Sequence, residues 1–88
     1  MEKVAFITGI TGQDGSYLSE LLLGKGYTVV GLVRRTVASD SAKMVNLSRI
    51  REHERLIMEY GDMSDMSSLT RIISHHKPQE VYNLAAQS

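Results

Sequence analysis

The chain contains no cysteine among its 88 residues. That removes disulfides and thiolate metal sites, and it suits a reducing cytoplasm. Neither charge is in excess, since ten Lys and Arg balance ten Asp and Glu. A general attraction to nucleic acid or to an anionic membrane therefore has no source in the composition. No apolar run approaches the roughly 20 residues that cross a bilayer. Met1-Glu2-Lys3 leads straight into a strand without a small-residue cleavage site, so the N-terminus does not read as a signal peptide. There is no repeat of solenoid period and no low-complexity tract. These absences leave one small soluble, intracellular α/β unit at most, with an ordinary 42% hydrophobic and 23% charged residues.

What is present alternates regularly. Residues 3 to 8 read as a buried parallel strand, a short apolar run that stops at a glycine turn. From Asp14 to Lys25 the positions Tyr17, Leu18, Leu21 and Leu22 form one helical face, and Gly24 and Gly26 stop the helix. Tyr27 to Val33 is a second strand, rich in β-branched residues. Residues 34 to 40 are polar and read as a loop. Ser39, Asp40 or Ser41 then caps a second helix whose thin apolar stripe is Met44, Leu47 and Ile50. Leu56 to Tyr60 is a third strand closed by Gly61-Asp62. Ser64 or Asp65 caps a helix with Met66, Leu69, Ile72 and Ile73 on one side, and Pro78 ends it. Glu80 to Leu84 is a fourth strand. The order β-α-β-α-β-α-β gives a parallel sheet with right-handed crossovers and helices on both faces, the N-terminal half of a doubly wound sheet.

The chemistry-bearing segment is Thr8-Gly9-Ile10-Thr11-Gly12-Gln13-Asp14-Gly15, lying between the first strand and the first helix. A glycine turn at that junction suits a pyrophosphate held on a helix N-terminus. Gly9 permits a tight exit from the strand, Gly12 leaves room for the pyrophosphate, and Gly15 lets the helix pack closely. The alternative is a plain strand-to-helix turn with no ligand. At the end of the second strand, an NAD-preferring fold carries an Asp or Glu for the ribose 2′-hydroxyl. Here that place holds Arg34 and Arg35, and the nearest downstream acid is Asp40. Guanidinium groups match phosphate oxygens, so the expected cofactor is NADP(H). Two solvated loop arginines are the competing reading.

The spacing of Gly9, Gly12 and Gly15 is G-x-x-G-x-x-G, wider than the usual dinucleotide fingerprint, and it resembles the short-chain dehydrogenase/reductase superfamily. Gly61-Asp62-Met63 looks like the adenine-contacting turn of that superfamily. Tyr82-Asn83-Leu84-Ala85-Ala86-Gln87-Ser88 looks like the motif of its extended branch, which acts on nucleotide sugars. Together with Ile7 to Leu18 and Val33-Arg34-Arg35, the wording closely resembles the GDP-mannose 4,6-dehydratases, although residues 36 to 55 match loosely. The resemblance implies a Rossmann-type fold, NADP bound by Gly9 to Gly15, Arg34, Arg35, Asp62, Met63 and Leu84 to Ser88, and GDP-mannose as substrate. It also implies a cytoplasmic homo-oligomer, dimer or tetramer, with one arginine open to a role at a subunit interface. For Asp62 the implied role is to accept from the adenine amino group, with Met63 beside the ring; the alternative is a turn aspartate bonded to its own backbone. Another nucleotide-sugar reductase or epimerase, or a non-catalytic NADP sensor, is equally compatible with the cofactor residues.

None of Tyr17, Tyr27, Tyr60 and Tyr82 is followed four residues later by lysine, so the Tyr-x-x-x-Lys pair of that superfamily is absent and no catalytic residue is expected in residues 1–88. The expectation is an incomplete cofactor-binding portion of a longer protein. In the order 3-2-1-4-5-6 its fourth strand leaves an apolar edge where a fifth would pair, so residues 1–88 alone should be unstable or aggregate. His75-His76 suggests a metal, but adjacent helical positions point about 100° apart and no third ligand is near. His53, among Arg51, Glu52, Glu54 and Arg55, reads as part of an exposed charged face.

Overall fold

The computed structural model of the protein describes residues 3–34 and 44–84. It contains β1 (Val4–Thr8), α1 (Gln13–Gly24), β2 (Thr28–Val33), a 3-10 turn (Val45–Leu47), β3 (Leu56–Tyr60), α2 (Met66–His76) and β4 (Glu80–Asn83). All strand pairs are parallel and the sheet order is β3-β2-β1-β4. This is the arrangement expected for half of a doubly wound sheet, with β1 and β4 flanking the point where the strand order reverses. Ligands of such sheets sit outside the carboxyl ends of the strands, here Thr8, Val33, Tyr60 and Asn83.

Side-chain alternation along the central strands builds two cores. Ala5 and Ile7 of β1 and Val29 and Val33 of β2 meet Leu22 and Leu23 of α1, and Met44, Leu47 and Ile50 complete that layer. Phe6, Val30 and Leu32 point the other way, onto Ile72 of α2. The central strands are buried almost throughout, whereas β3 and β4 are half-exposed. Each fully buried side chain such as Phe6 or Ile72 contributes about 1.5–3 kcal/mol. The exposed Arg49–Glu20 ion pair at 3.8 Å adds under about 1 kcal/mol. The two apolar layers therefore hold the fold.

Three local readings change. The buried face of α1 is Gly15, Ser16, Ser19, Leu22 and Leu23, while Tyr17 and Leu21 are exposed. Small residues let the helix lie close to the sheet, and the Ser19 hydroxyl is satisfied by donating to the Gly15 carbonyl at 2.7 Å. The stripe of Met44, Leu47 and Ile50 is buried as expected, but the described backbone there runs through i to i+3 bonds: Ser48 to Val45, Ile50 to Leu47 and His53 to Ile50. A spacing of three eclipses side chains in a 3-10 winding, which explains why the stripe is thin. The expected caps at Ser39, Asp40 or Ser41 lie outside the described residues. Finally, Arg55 does not belong to an exposed charged face. It is half-buried and donates to the Leu23 carbonyl at 3.0 Å and the Tyr27 carbonyl at 3.3 Å, closing the end of α1.

The ends of α1 and α2 follow the sequence closely. Gly26, with φ of 91°, reverses the chain after α1. Its N–H reaches the Leu23 carbonyl while that of Tyr27 reaches Leu22, the paired bonds of a Schellman stop. Of the two candidate caps for α2, Asp65 is the one used, accepting from the Ser67 and Ser68 amides. Ile72 and Leu69 face the sheet, and Met66 and Ile73 remain exposed. No helix among the described residues is long and apolar enough to cross a membrane.

Candidate functional site

Two glycines of the turn after β1 are required by the fold, each for a different reason. Gly9 has φ of 76°, a left-handed conformation that side chains strain. At Gly15 a Cβ would overlap the Gly9 carbonyl oxygen and lie 2.8 Å from the Ile10 Cα, so the first turn of α1 and the loop before it could not both keep their places. Gly12 is unlike either. Its φ is negative, and a Cβ there would meet only the Gly9 oxygen at an ordinary 3.5 Å. The protein itself leaves this position free, which fits a glycine kept for what approaches from outside.

Gly12 is also the N-cap of α1, and no side chain caps the helix. The first N–H groups of an α-helix have no partner within it. Here nothing from a capping side chain takes them, while the aligned peptide dipoles favour an anion. Gln13 and Asp14 of this first turn are exposed. The Gly12 amide itself donates to the Gly9 carbonyl at 3.1 Å, which tightens the loop. The geometry thus fits a phosphate-bearing ligand on backbone donors.

Two buttresses of this turn have no local signature in the sequence. Ile10 is fully buried, and its side chain occupies the space above Gly31 in β2, where a Cβ would overlap Ile10 Cδ1 and come within 3.0 Å of its Cγ2. Ile10 therefore serves the site through its backbone only. Half-buried Asn46 donates from Nδ2 to the Thr11 carbonyl at 2.8 Å, across 35 positions of sequence. On the other side, the Thr8 hydroxyl donates to Asn83 Oδ1 at 2.6 Å, and the Leu84 amide donates to the Thr8 carbonyl at 3.0 Å. The carboxyl ends of β1 and β4 are thereby tied together.

Arg34 follows β2 and is exposed. It borders a cleft of about 580 Å³ that Gly61, Asp62, Ser68 and Arg71 also line. Asp62 Oδ1 accepts both the amide and the hydroxyl of Ser64 at 3.0 Å, which together with the Arg34 charge holds its carboxyl below the usual range. The turn reading of Asp62 is the one observed: Oδ1 closes the turn, and Oδ2 has no hydrogen bond among the described residues. Met63 and Leu84 are partly exposed beside it and beyond β4. Arg35 and Ala85, Ala86, Gln87 and Ser88 lie outside the described residues.

Two further carboxylates are engaged outside the turn. Glu59 is drawn down by the hydrogen bond with His76 at 2.6 Å and by Arg71 at 3.6 Å. Glu80 accepts from the hydroxyls of Tyr82 at 2.6 Å and Tyr27 at 2.9 Å, which lowers its own titration and raises that of Tyr82. Among the described residues no group of three His, Asp or Glu is placed to hold a metal ion.

Comparison with known proteins follows the same lines. The family model described as GDP-mannose 4,6 dehydratase matches residues 6–88. A GDP-mannose 4,6 dehydratase of Drosophila melanogaster is 51% identical over 99% of this chain and 23% of its own length. GDP-mannose 4,6 dehydratase 2 of Arabidopsis thaliana is 53% identical over 98% of this chain and 24% of its own. The chain spans about a quarter of the length of these curated relatives. Among solved structures, the Bordetella bronchiseptica enzyme WbmH in complex with NAD+ superposes with a TM-score of 0.81 and 32% identity, over 100% of this chain and 27% of that one.

Proposed function

The chain belongs to the GDP-mannose 4,6 dehydratase family, and on that premise we propose that residues 1–88 are the cofactor-binding portion of an NADP-dependent, cytoplasmic enzyme that converts GDP-mannose to GDP-4-keto-6-deoxymannose. The observation that carries this reading is the family match from residue 6 to residue 88, which includes the whole glycine turn. The uncapped start of α1 supports a dinucleotide pyrophosphate there. WbmH, bound to NAD+, supports the nicotinamide class. Arg34 and Arg35, standing where a carboxylate would repel a 2′-phosphate, support NADP over NAD.

When bound, the dinucleotide would supply reversible hydride transfer at the hexose, consistent with a dehydration to the 4-keto-6-deoxy sugar that needs no net oxidant. What this chain contributes is position. Gly12 and the first-turn amides of α1 hold the pyrophosphate, and Arg34 and Arg35 hold the 2′-phosphate. Asp62 Oδ2 accepts from the adenine amino group beside Met63. Leu84, following the Thr8–Asn83 tie, takes the nicotinamide side, and the family motif that runs on to Ser88 supports the same role for Ala85, Ala86, Gln87 and Ser88. The acid, base and tyrosine–lysine pair come from a part of the protein beyond residues 1–88, and the enzyme works as a dimer or tetramer.

Incubation of the full-length protein with GDP-mannose, without added reductant, tests the reading. A 4-keto product at constant total NADP(H) is the expected result. A reductase, an epimerase or a sensor that keeps only the fold forms none, and that result would overturn the assignment.

A further inference from the structure

We propose that Arg71 is a further specificity-determining residue, a second guanidinium that meets the 2′-phosphate of the cofactor from the α2 side of the cleft. The inference deepens the NADP reading above and rests on it. Arg34 and Arg71 come from different elements, the end of β2 and the second turn of α2, yet border the same cleft of about 580 Å³. Two forked cations facing one cavity suit a phosphate dianion approached from two sides.

The acids of the cleft take hydrogen bonds from neighbouring serines rather than from either arginine among the described residues. Asp65 Oδ1 accepts the Ser67 amide at 3.1 Å and hydroxyl at 2.7 Å, and its Oδ2 accepts the Ser68 hydroxyl at 2.7 Å. Asp62 has given Oδ1 to Ser64. Arg71, in contrast, is held loosely. Its contact with Glu59 is 3.6 Å, beyond hydrogen-bond length, and its side chain is 57% exposed. Glu59 has a tighter partner in His76 at 2.6 Å, so Arg71 can leave it without orphaning the carboxylate. An exposed ion pair of this length offers little resistance to a dianion.

Titration of the full-length protein with NADP+ and with NAD+ tests the proposal through the ratio of the two dissociation constants. Arg71→Met, which keeps the alkyl stem, should weaken NADP+ by about tenfold and leave NAD+ within about twofold, the scale of one charge-assisted contact. Arg71→Lys should restore part of the loss. Glu59→Gln removes the competing charge and should tighten NADP+ alone, a gain that a structural role for Arg71 does not produce. Parallel losses for both nucleotides in Arg71→Met, or an unchanged ratio, would overturn the proposal. The double change of Arg34 and Arg35 to Ala separates the two levels. If it collapses the preference for NADP+ while Arg71→Met does not, only the role of Arg71 fails; if it weakens both nucleotides equally, the NADP reading itself fails.

Discussion

The two helices of this chain begin in opposite ways. At α2, Asp65 accepts from the Ser67 and Ser68 amides and from both serine hydroxyls, so the donors at that end are spent within the protein. At α1, the cap is Gly12, which has no side chain to offer, and no side chain among the described residues caps the first turn. The helices differ little in length, at 12 and 11 residues, and both follow a parallel strand. A chain under selection for stability alone has reason to cap both, since a side-chain cap is worth about 1 kcal/mol over alanine. An end left open next to two sterically demanding glycines fits the binding end proposed above.

The sharpest way to break the contrast is Gly15→Ala. The added Cβ overlaps the Gly9 carbonyl, so the loop and α1 must part, at a cost of about 1–3 kcal/mol. A urea melt of the full-length protein should show that loss together with abolished nucleotide binding; an unchanged midpoint would mean that the close approach is not required. Gly12→Ser comes next and exchanges the two behaviours. The site tolerates a Cβ, so stability should rise by a few tenths of a kcal/mol. Dinucleotide affinity should fall about tenfold, equivalent to about 1.4 kcal/mol, because the hydroxyl takes a donor and fills the space. Equal affinity in calorimetry would show that Gly12 has no ligand to accommodate. The smallest effect is at the other helix. Asp65→Ala should speed exchange of the Ser67 and Ser68 amide hydrogens about fivefold; unchanged exchange would show that the cap holds nothing.

The Asp65 cap also sets a pH limit. Hydrogen bonds from Ser68 and Ser67 hold its carboxyl below the ordinary value. A depressed folded-state pKa contributes stability above the unfolded value, near 4 for aspartate, and loses it as pH falls through the lowered value. Acid should therefore fray the start of α2 before that of α1, and Asp65→Ala should remove that acid limb. Amide exchange recorded between about pH 5 and pH 2.5 measures the difference.

How much of this was legible depended on whether the signal was local. The apolar runs of β1 and β2, the stop at Gly24 and Gly26, and the cap at Asp65 are each written within a few residues, and the parallel order followed from their alternation. The face of α1 was misread because Gly15, Ser16 and Ser19 are buried for their size, which a hydrophobic pattern does not register. Met44 is helical as expected, but the winding turns 3-10 at Val45–Leu47, which a spacing of three does not distinguish from a helical stripe. Gly31 and Asn46 carried no signal at all, since each matters only once Ile10 and Thr11, 21 and 35 positions earlier, are in place. Of the proposed site, the glycines and Arg34 stand in motifs readable in the sequence, whereas Arg71 enters only through the cleft it shares.

The seating of Ile10 over Gly31 has a thermodynamic consequence. A loop that binds phosphate through backbone amides ordinarily has to be ordered when the ligand arrives, at about 1–2 kcal/mol for each residue fixed. Here the tip of the loop is part of the hydrophobic core, fully buried against β2. That ordering is completed when the sheet forms, so the incoming dinucleotide meets a preorganised surface, and its binding energy is left for the reacting end.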